Sequence, residues 1–289
     1  MRIIFRKNLL FALMAVIVSL SACSDKNSMP APSSPGSGST TPSNLTLTAD
    51  PKFGNILTDA NGRSLYFFAN DPNVSSNCNS ADGCIIQWPA YYAGNETPPT
   101  GIPQDQIGTI TRADGQKQST FKKWPLYYYA GDKVKGDVNG DNFAGIWFVA
   151  KPDYSIMLAN QQLVGSDGKN YIDALVEGNG NTIYLTDAAG VTLYGYKPDT
   201  FNTNTYTAPD FSNDKFWPIY QSDVMNVPSI FTKDLFTTIT FNGKKQLTFR
   251  GHPLYFYIGD TARGQTNGIN QSQPAPWPVL TPKTPALTP

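Results

Sequence analysis

The chain has 289 residues, with 22 basic and 22 acidic side chains, a single histidine and an aromatic content of 12%. No surplus of basic residues is present, so we predict no nucleic-acid partner. The single histidine, His252, excludes metal centres built from several histidines. Abundant aromatics together with 24 Gly and 23 Pro favour an all-β fold of short strands joined by many turns.

Residues 1–23 have the pattern of a bacterial lipoprotein signal peptide. Basic residues in the first seven positions precede an apolar stretch at residues 9–20, which is short for a transmembrane helix. The stretch ends in Leu-Ser-Ala-Cys at residues 20–23, which resembles the lipobox. This resemblance implies cleavage before Cys23 and lipidation of that residue. The alternative is an ordinary secretory signal that happens to contain a cysteine.

Multiple acyl chains on Cys23 would hold the mature protein stably on a membrane. Ser24 follows directly, where an aspartate would favour retention in the inner membrane, so we expect the cell outer membrane, at its periplasmic face or at the cell surface. Residues 24–44 are rich in Ser, Pro and Gly and predict a disordered tether.

Beyond the tether, one motif occurs four times: a tyrosine, any residue, an aromatic, any two residues and an aspartate. The copies are Tyr66/Phe68/Asp71, Tyr127/Tyr129/Asp132, Tyr194/Tyr196/Asp199 and Tyr255/Tyr257/Asp260. Their regular spacing predicts two tandem homologous domains at residues 45–160 and 161–281, each with two motifs. A Pro-rich tail at residues 282–289 follows, which we expect to be disordered or laid along the surface.

Turn signals recur at matching places in both predicted domains. Asp59-x-x-Gly62 and Asp187-x-x-Gly190 lie between apolar runs, and Asp-Gly at residues 114–115 matches Asn-Gly at residues 242–243. These patterns predict β-hairpins. We therefore expect two compact, hairpin-rich sandwich or barrel-like domains, with a propeller-like arrangement of four units as the alternative. A short turn of helix is predicted near residues 229–235.

Cys78 and Cys84 are the remaining cysteines and lie in a polar loop. In an oxidising compartment this pattern favours a disulfide, which stabilises by ~2 kcal/mol on the chain-entropy argument. A metal site or a redox dithiol is the alternative, although zinc needs two further ligands and the spacing is not Cys-x-x-Cys.

Several of these features occur together in one order: the Asp59 turn with the Tyr66 motif, the cysteine pair, Trp88-Pro89, and the Asp114-Gly115 turn with the Tyr127 motif. In this order they resemble the bacterial predicted lipoproteins with a Yx(FWY)xxD motif, described as secreted repeats of unknown function. The resemblance covers residues 45–280. The second copy lacks the cysteines and has His252 in place of Trp124. The family implies no established activity, substrate or cofactor.

Strand periodicity assigns the motif residues to faces. Tyr66 and Phe68 should share one side of a strand, and Leu65 and Phe67 the other. Each motif aspartate then falls beyond a strand end, where it can accept turn N–H groups or a tyrosine hydroxyl, so we predict a structural role. A carboxylate pair for glycoside hydrolysis is the alternative, but an acid and a base need unlike environments and these sites share one local sequence.

Three further candidates have a functional and a structural interpretation. Asp137 and Asp141 resemble the first half of a calcium loop, which lacks the glycine and terminal glutamate, so a glycine-rich turn is favoured. His252 could serve in a catalytic triad, but no Gly-x-Ser-x-Gly nucleophile accompanies it, so a partly buried or surface histidine is favoured. Four tryptophans precede proline and favour core packing over an exposed stacking platform. They are Trp88, Trp124, Trp217 and Trp277.

From these observations we predict a non-enzymatic binding or scaffolding lipoprotein of the cell envelope, without a cofactor or a protein-bound metal. Its expected partners are the membrane, through the lipid anchor, and another envelope protein or a glycan. One alternative is an accessory role in envelope redox or metal handling, based on the cysteine pair and the many tyrosines. A weaker alternative is a carbohydrate-active enzyme that uses paired aspartates.

Overall fold

Short antiparallel strands dominate the computed structural model, which describes residues 45–94, 97–173, 175–271 and 276–289. The strands are β1 (Thr46–Asp50), β2 (Gly54–Thr58), β3 (Tyr66–Phe68), β4 (Ile107–Thr111), β5 (Lys117–Phe121), β6 (Trp124–Pro125), β7 (Trp147–Val149), β8 (Met157–Val164), β9 (Asn170–Ile172), β10 (Val176–Glu177), β11 (Asn181–Thr186), β12 (Phe236–Phe241), β13 (Lys244–Phe249) and β14 (His252–Pro253). The all-β fold is confirmed. The predicted signal peptide, Cys23 and the tether lie outside the described residues.

Helix is confined to three short segments of the described chain. They are α1 (Cys84–Gln87) and two 3₁₀ turns at Gln104–Gln106 and Lys233–Leu235. The last turn lies within the region for which the sequence predicted a turn of helix. Over the described ranges, none of these segments has the length and apolar character needed to cross a bilayer.

The sheets are small and occur in two similar sets. The first set consists of β1–β2, β3–β7 and β4–β5–β6, and the second of β10–β9–β8–β11 and β12–β13–β14. We call β1–β7 the first copy and β8–β14 the second copy. The predicted boundary after residue 160 falls inside β8, which pairs with all six residues of β11 and so begins the second copy. Both copies lie in one compact unit.

The Asp-Gly and Asn-Gly turns form the hairpins that the sequence predicted. Across the second turn Phe241 pairs with Lys244, and the two loop residues have φ of 43° at Asn242 and 81° at Gly243. The Asp-x-x-Gly turns lead to much shorter pairing. After Gly62 the chain makes one bridge, between Thr58 and Ser64, because Tyr66 then pairs with Tyr127 and Val149 instead.

Each motif strand separates two apolar layers. Leu65 and Phe67 pack in one layer, with Trp124, while Tyr66 and Phe68 pack in the other. The predicted alternation of faces is therefore confirmed in the first copy. Leu193 of the second copy belongs to a layer that also contains Ala69 and Phe148 of the first copy. The copies thus share apolar packing, and each large side chain buried there contributes about 1.5–3 kcal/mol.

Candidate functional site

In each copy the two motifs exchange hydrogen bonds. The Tyr66 hydroxyl donates to Asp132 Oδ2 at 2.7 Å, and the Tyr127 hydroxyl donates to Asp71 Oδ2 at 2.5 Å. The second copy repeats the exchange, with 2.6 Å for Tyr194 to Asp260 and 2.7 Å for Tyr255 to Asp199. The two tyrosines of each copy also bond through their main chains. We call each set of four residues a Tyr–Asp cross-brace.

The other oxygen of every motif aspartate binds the loop that follows it. Asp71 Oδ1 accepts the Asn77 N–H at 2.7 Å, and Asp199 Oδ1 accepts the Thr205 N–H at 2.7 Å. Asp132 and Asp260 make the same bond to residues 139 and 267. The sequence predicted turn N–H groups or a tyrosine hydroxyl as the donors to each aspartate. It did not predict that the two motifs of a copy exchange these hydrogen bonds. The structural role itself stays a prediction.

The cross-braces contain strongly shifted ionisable groups. Burial raises the pKa of Asp71 to about 7, against the lowering effect of the Tyr127 hydroxyl. Burial likewise raises the pKa of Asp260 to about 7, and the Tyr194 hydroxyl opposes it. A carboxyl group near neutrality suits acid–base catalysis. Asp71, however, is fully buried, so a substrate has no access to it in this conformation.

The third residue of each motif caps a stack of four aromatic rings. In the first copy the order is Phe68, Trp147, Trp88, Tyr129, with successive centroids 3.9, 3.8 and 4.5 Å apart. In the second copy it is Tyr196, Trp277, Trp217, Tyr257, at 4.5, 3.8 and 4.6 Å. Such offset ring contacts add about 0.5–1.5 kcal/mol per pair beyond the area that they bury.

The tryptophans before proline are all at most 3% exposed, which confirms the core-packing interpretation. Close ring packing also explains Gly140 and its counterpart Gly268. A Cβ at Gly140 would lie 2.8 Å from Trp88, and one at Gly268 would lie 2.8 Å from Trp217. A side chain at either position would therefore displace the stack.

Cys78 and Cys84 form the predicted disulfide. Their loop is held further by Arg112, whose guanidinium donates to Ser76 Oγ at 2.6 Å, to Cys78 O at 2.7 Å and to Gln118 Oε1 at 3.0 Å. Arg112 is 5% exposed. No sequence pattern marked it, because Ser76 and Cys78 lie far away along the chain and a surface arginine is the ordinary expectation.

In the segment resembling a calcium loop, the carboxylates bind the backbone. Asp137 Oδ2 accepts the N–H groups of Lys133 and Val134, which lower its pKa, and Asp141 Oδ1 accepts the Val149 N–H. Across the described ranges no group of three or more His, Cys, Asp or Glu side chains is arranged as for a metal ion.

The two copies differ on the face that carries Trp124 in the first copy. There the Trp124 Nε1–H donates to Ala188 O of the second copy at 3.1 Å, and the Arg263 guanidinium lies 4.3 Å from the Trp124 ring. Asn160 of the second copy donates its N–H to Ala69 O at 2.8 Å. This face of the first copy is therefore an interface with the second.

The corresponding face of the second copy is an open cleft of about 430 Å³. His252 stands where the first copy has Trp124, and Lys197 where it has Ala69. The cleft is lined by these two side chains and by Asp173, Tyr196, Lys283 and the apolar Val279 and Leu280. His252 Nε2 lies 2.9 Å from Pro285 O, so part of the predicted tail lies along the surface here. We call this the His252 cleft.

The fold and the two cross-braces define a tandem all-β repeat protein. Residues 108–151 and 237–281 match the family model described as a secreted repeat of unknown function. The predicted resemblance and its two-copy arrangement are confirmed, and each matched segment contains the second motif of its copy. No curated protein and no solved structure matches the chain.

Proposed function

We propose that the protein is an outer-membrane lipoprotein, anchored through Cys23, whose two copies form a non-enzymatic binding module. The lipobox-like residues 20–23 and the matching secreted repeat support an extracytoplasmic, lipid-anchored protein. The motif residues support a scaffold, since their hydroxyls and carboxylates bond to one another and to backbone groups.

The His252 cleft is the observation that carries the binding proposal. The same face of the scaffold forms an interface in the first copy, and in the second copy it is a cleft bordered by the C-terminal tail. An apolar floor with a few converging polar groups is typical of recognition sites. The charged side chains that line the cleft are Lys197, Lys283 and Asp173, so its lining carries a net positive charge. An envelope protein with an acidic segment fits it best.

The anchor is tested by fractionation of cells that express the Cys23→Ala variant. We expect this variant to be uncleaved or soluble, whereas Cys78→Ser, which removes another cysteine, should still fractionate with the outer membrane. Unchanged fractionation of Cys23→Ala would refute the lipid anchor.

The binding site is tested by site-specific photo-crosslinking in intact cells. A photoreactive residue in place of Lys197 should give a discrete protein adduct, and one in place of the exposed Lys117, on a hairpin of the first copy, should not. His252→Trp, which installs the first copy's residue, should reduce the adduct from position 197. Equal products from both positions would contradict the proposed site, and an adduct sensitive to glycosidases would identify a glycan.

A further inference from the structure

A second cavity, of about 490 Å³, lies where the two copies meet. The turn between β1 and β2 contributes Lys52, the segment after β7 contributes Lys151 and Asp153, and the second copy contributes Lys233. Three ammonium groups against one carboxylate give this lining a formal charge of +2. We call it the Lys151 pocket.

Lys151 has an unusual environment for a lysine. It is 7% exposed, and its ammonium lies 5.4 Å from the Phe53 ring centroid and 5.5 Å from that of Tyr154. None of the ion pairs found in the described part of the chain includes Lys151. Burial lowers its pKa. Most of the Lys151 side chain is buried and its ammonium forms no ion pair with any described residue, so an anion bound in the pocket would stabilise the charged form.

One oxygen of each carboxylate near Lys151 already accepts a hydrogen bond from another donor. Asp153 Oδ1 accepts a hydrogen bond from the side-chain amide of Asn226 at 2.7 Å. Asp50 Oδ1 accepts hydrogen bonds from two backbone N–H groups at 2.8 Å, and Asp141 Oδ1 accepts one from the Val149 N–H at 3.0 Å. Their charges raise the pKa of Lys151, while Lys233 lowers it. These carboxylates offset only part of the effect of burial on Lys151, and none of them forms an ion pair with it.

We propose that the Lys151 pocket binds a phosphate-type oxyanion at the junction of the two copies. Lys52, Lys151 and Lys233 supply ammonium donors, and Asn55 and Ser229 line the same pocket as neutral polar groups. Phosphate oxygens accept several such charge-assisted hydrogen bonds at once. The residue of the second copy that corresponds to Lys151 is Thr281, so the site exists once and requires both copies.

The test is calorimetric titration of the detergent-purified mature protein with inorganic phosphate at low ionic strength. We expect saturable binding that Lys151→Met weakens about tenfold or more, since one charged hydrogen-bond donor is lost. Lys233→Gln, an exposed position, should weaken it several-fold, and the matched control Lys117→Met should leave it unchanged. Thermal unfolding of each variant verifies folding.

Absence of saturable phosphate binding by the wild type would overturn the proposal unless a phosphate ester bound in its place. Wild-type affinity in both Lys151→Met and Lys233→Gln would also overturn it. A second titration separates the sources of the anion, with short-chain phosphatidylglycerol compared with short-chain phosphatidylcholine. Tighter binding of the anionic lipid than of inorganic phosphate, lost in Lys151→Met, identifies a lipid headgroup, and the reverse order identifies a free phosphate compound.

Discussion

The two copies fix the loop after their first motif by different chemistry. In the first copy the disulfide Cys78–Cys84 and the buried Arg112 hold the loop. In the second copy the Asn204 amide donates to Thr207 Oγ1 and to Gln246 Oε1, both at 2.8 Å. Both loops lead to a tryptophan at the centre of a ring stack. The loop is thus held by a covalent bond and a buried cation in the first copy and by a side-chain amide in the second.

The copies differ again at Trp124 and His252. The same position is a buried contact between copies in one case and the wall of an open cleft in the other. A repeat unit thus has one face that can bind a neighbouring unit. In the first copy the second copy covers this face, whereas in the second copy the same face forms the His252 cleft.

Substitutions at this position should show the largest difference in stability between the two copies. Trp124→Ala removes a fully buried side chain and should lower the free energy of unfolding by about 3–5 kcal/mol. His252→Ala, at a half-exposed position, should change it by less than about 0.5 kcal/mol. Urea denaturation of both variants measures the difference. Similar losses would show that the two faces are packed alike.

The aspartates of the cross-braces should behave alike in the two copies. Asp71→Ala and Asp199→Ala each leave a buried tyrosine hydroxyl and a loop N–H without their acceptor. Each should cost about 1–3 kcal/mol, and the double variant should show nearly the sum because the sites share no partner. Thermal unfolding of the three variants tests this. A single variant that melts at or above the wild-type temperature would show that its motif is not structural.

Removal of the disulfide should affect the first copy alone. Replacing Cys78 and Cys84 with alanine should reduce stability by ~2 kcal/mol, because the unfolded chain regains the entropy of a short closed loop. Hydrogen exchange should then increase in the loop from Asp71 to Trp88 and remain unchanged in the loop around Asn204. As the matched change in the second copy, Asn204→Ala should loosen only its own loop. Faster exchange in both loops after either change would contradict independent closure.

The cross-braces also predict a dependence of stability on pH. The pKa of Asp71 and that of Asp260 are about 7 in the folded protein against 3.8 for the free group, so the folded state binds these protons more tightly. Their contribution to the free energy of unfolding is greatest below about pH 4. It is lost as the pH rises to about 7, at up to roughly 1.4 kcal/mol per pH unit for each group.

Denaturant midpoints measured between pH 4 and pH 8 test this dependence. Asp71→Asn keeps a hydrogen-bonding side chain but cannot titrate, so it should reduce the slope. The exposed Asp114→Asn should leave it almost unchanged. An equal slope in wild type and Asp71→Asn would assign the dependence to other groups.

Features that depend on neighbouring residues could be predicted from the sequence. Asn-Gly at residues 242–243 determines a two-residue hairpin loop because both residues adopt positive φ readily. The alternation of Leu65, Tyr66, Phe67 and Phe68 between two layers follows from the period of a strand. Cys78 and Cys84 are close enough along the chain to pair in the loop that contains them.

Tertiary structure alone decided which of these residues meet. Each motif contains its own aspartate, yet Tyr66 bonds to Asp132 because it lies antiparallel beside Tyr127, and each ring extends toward the end of its neighbour's motif. Lys151 and His252 look like ordinary surface residues in the sequence. Phe53 beside Lys151 and Pro285 beside His252 lie far away in sequence, and local propensity contains no information about such contacts.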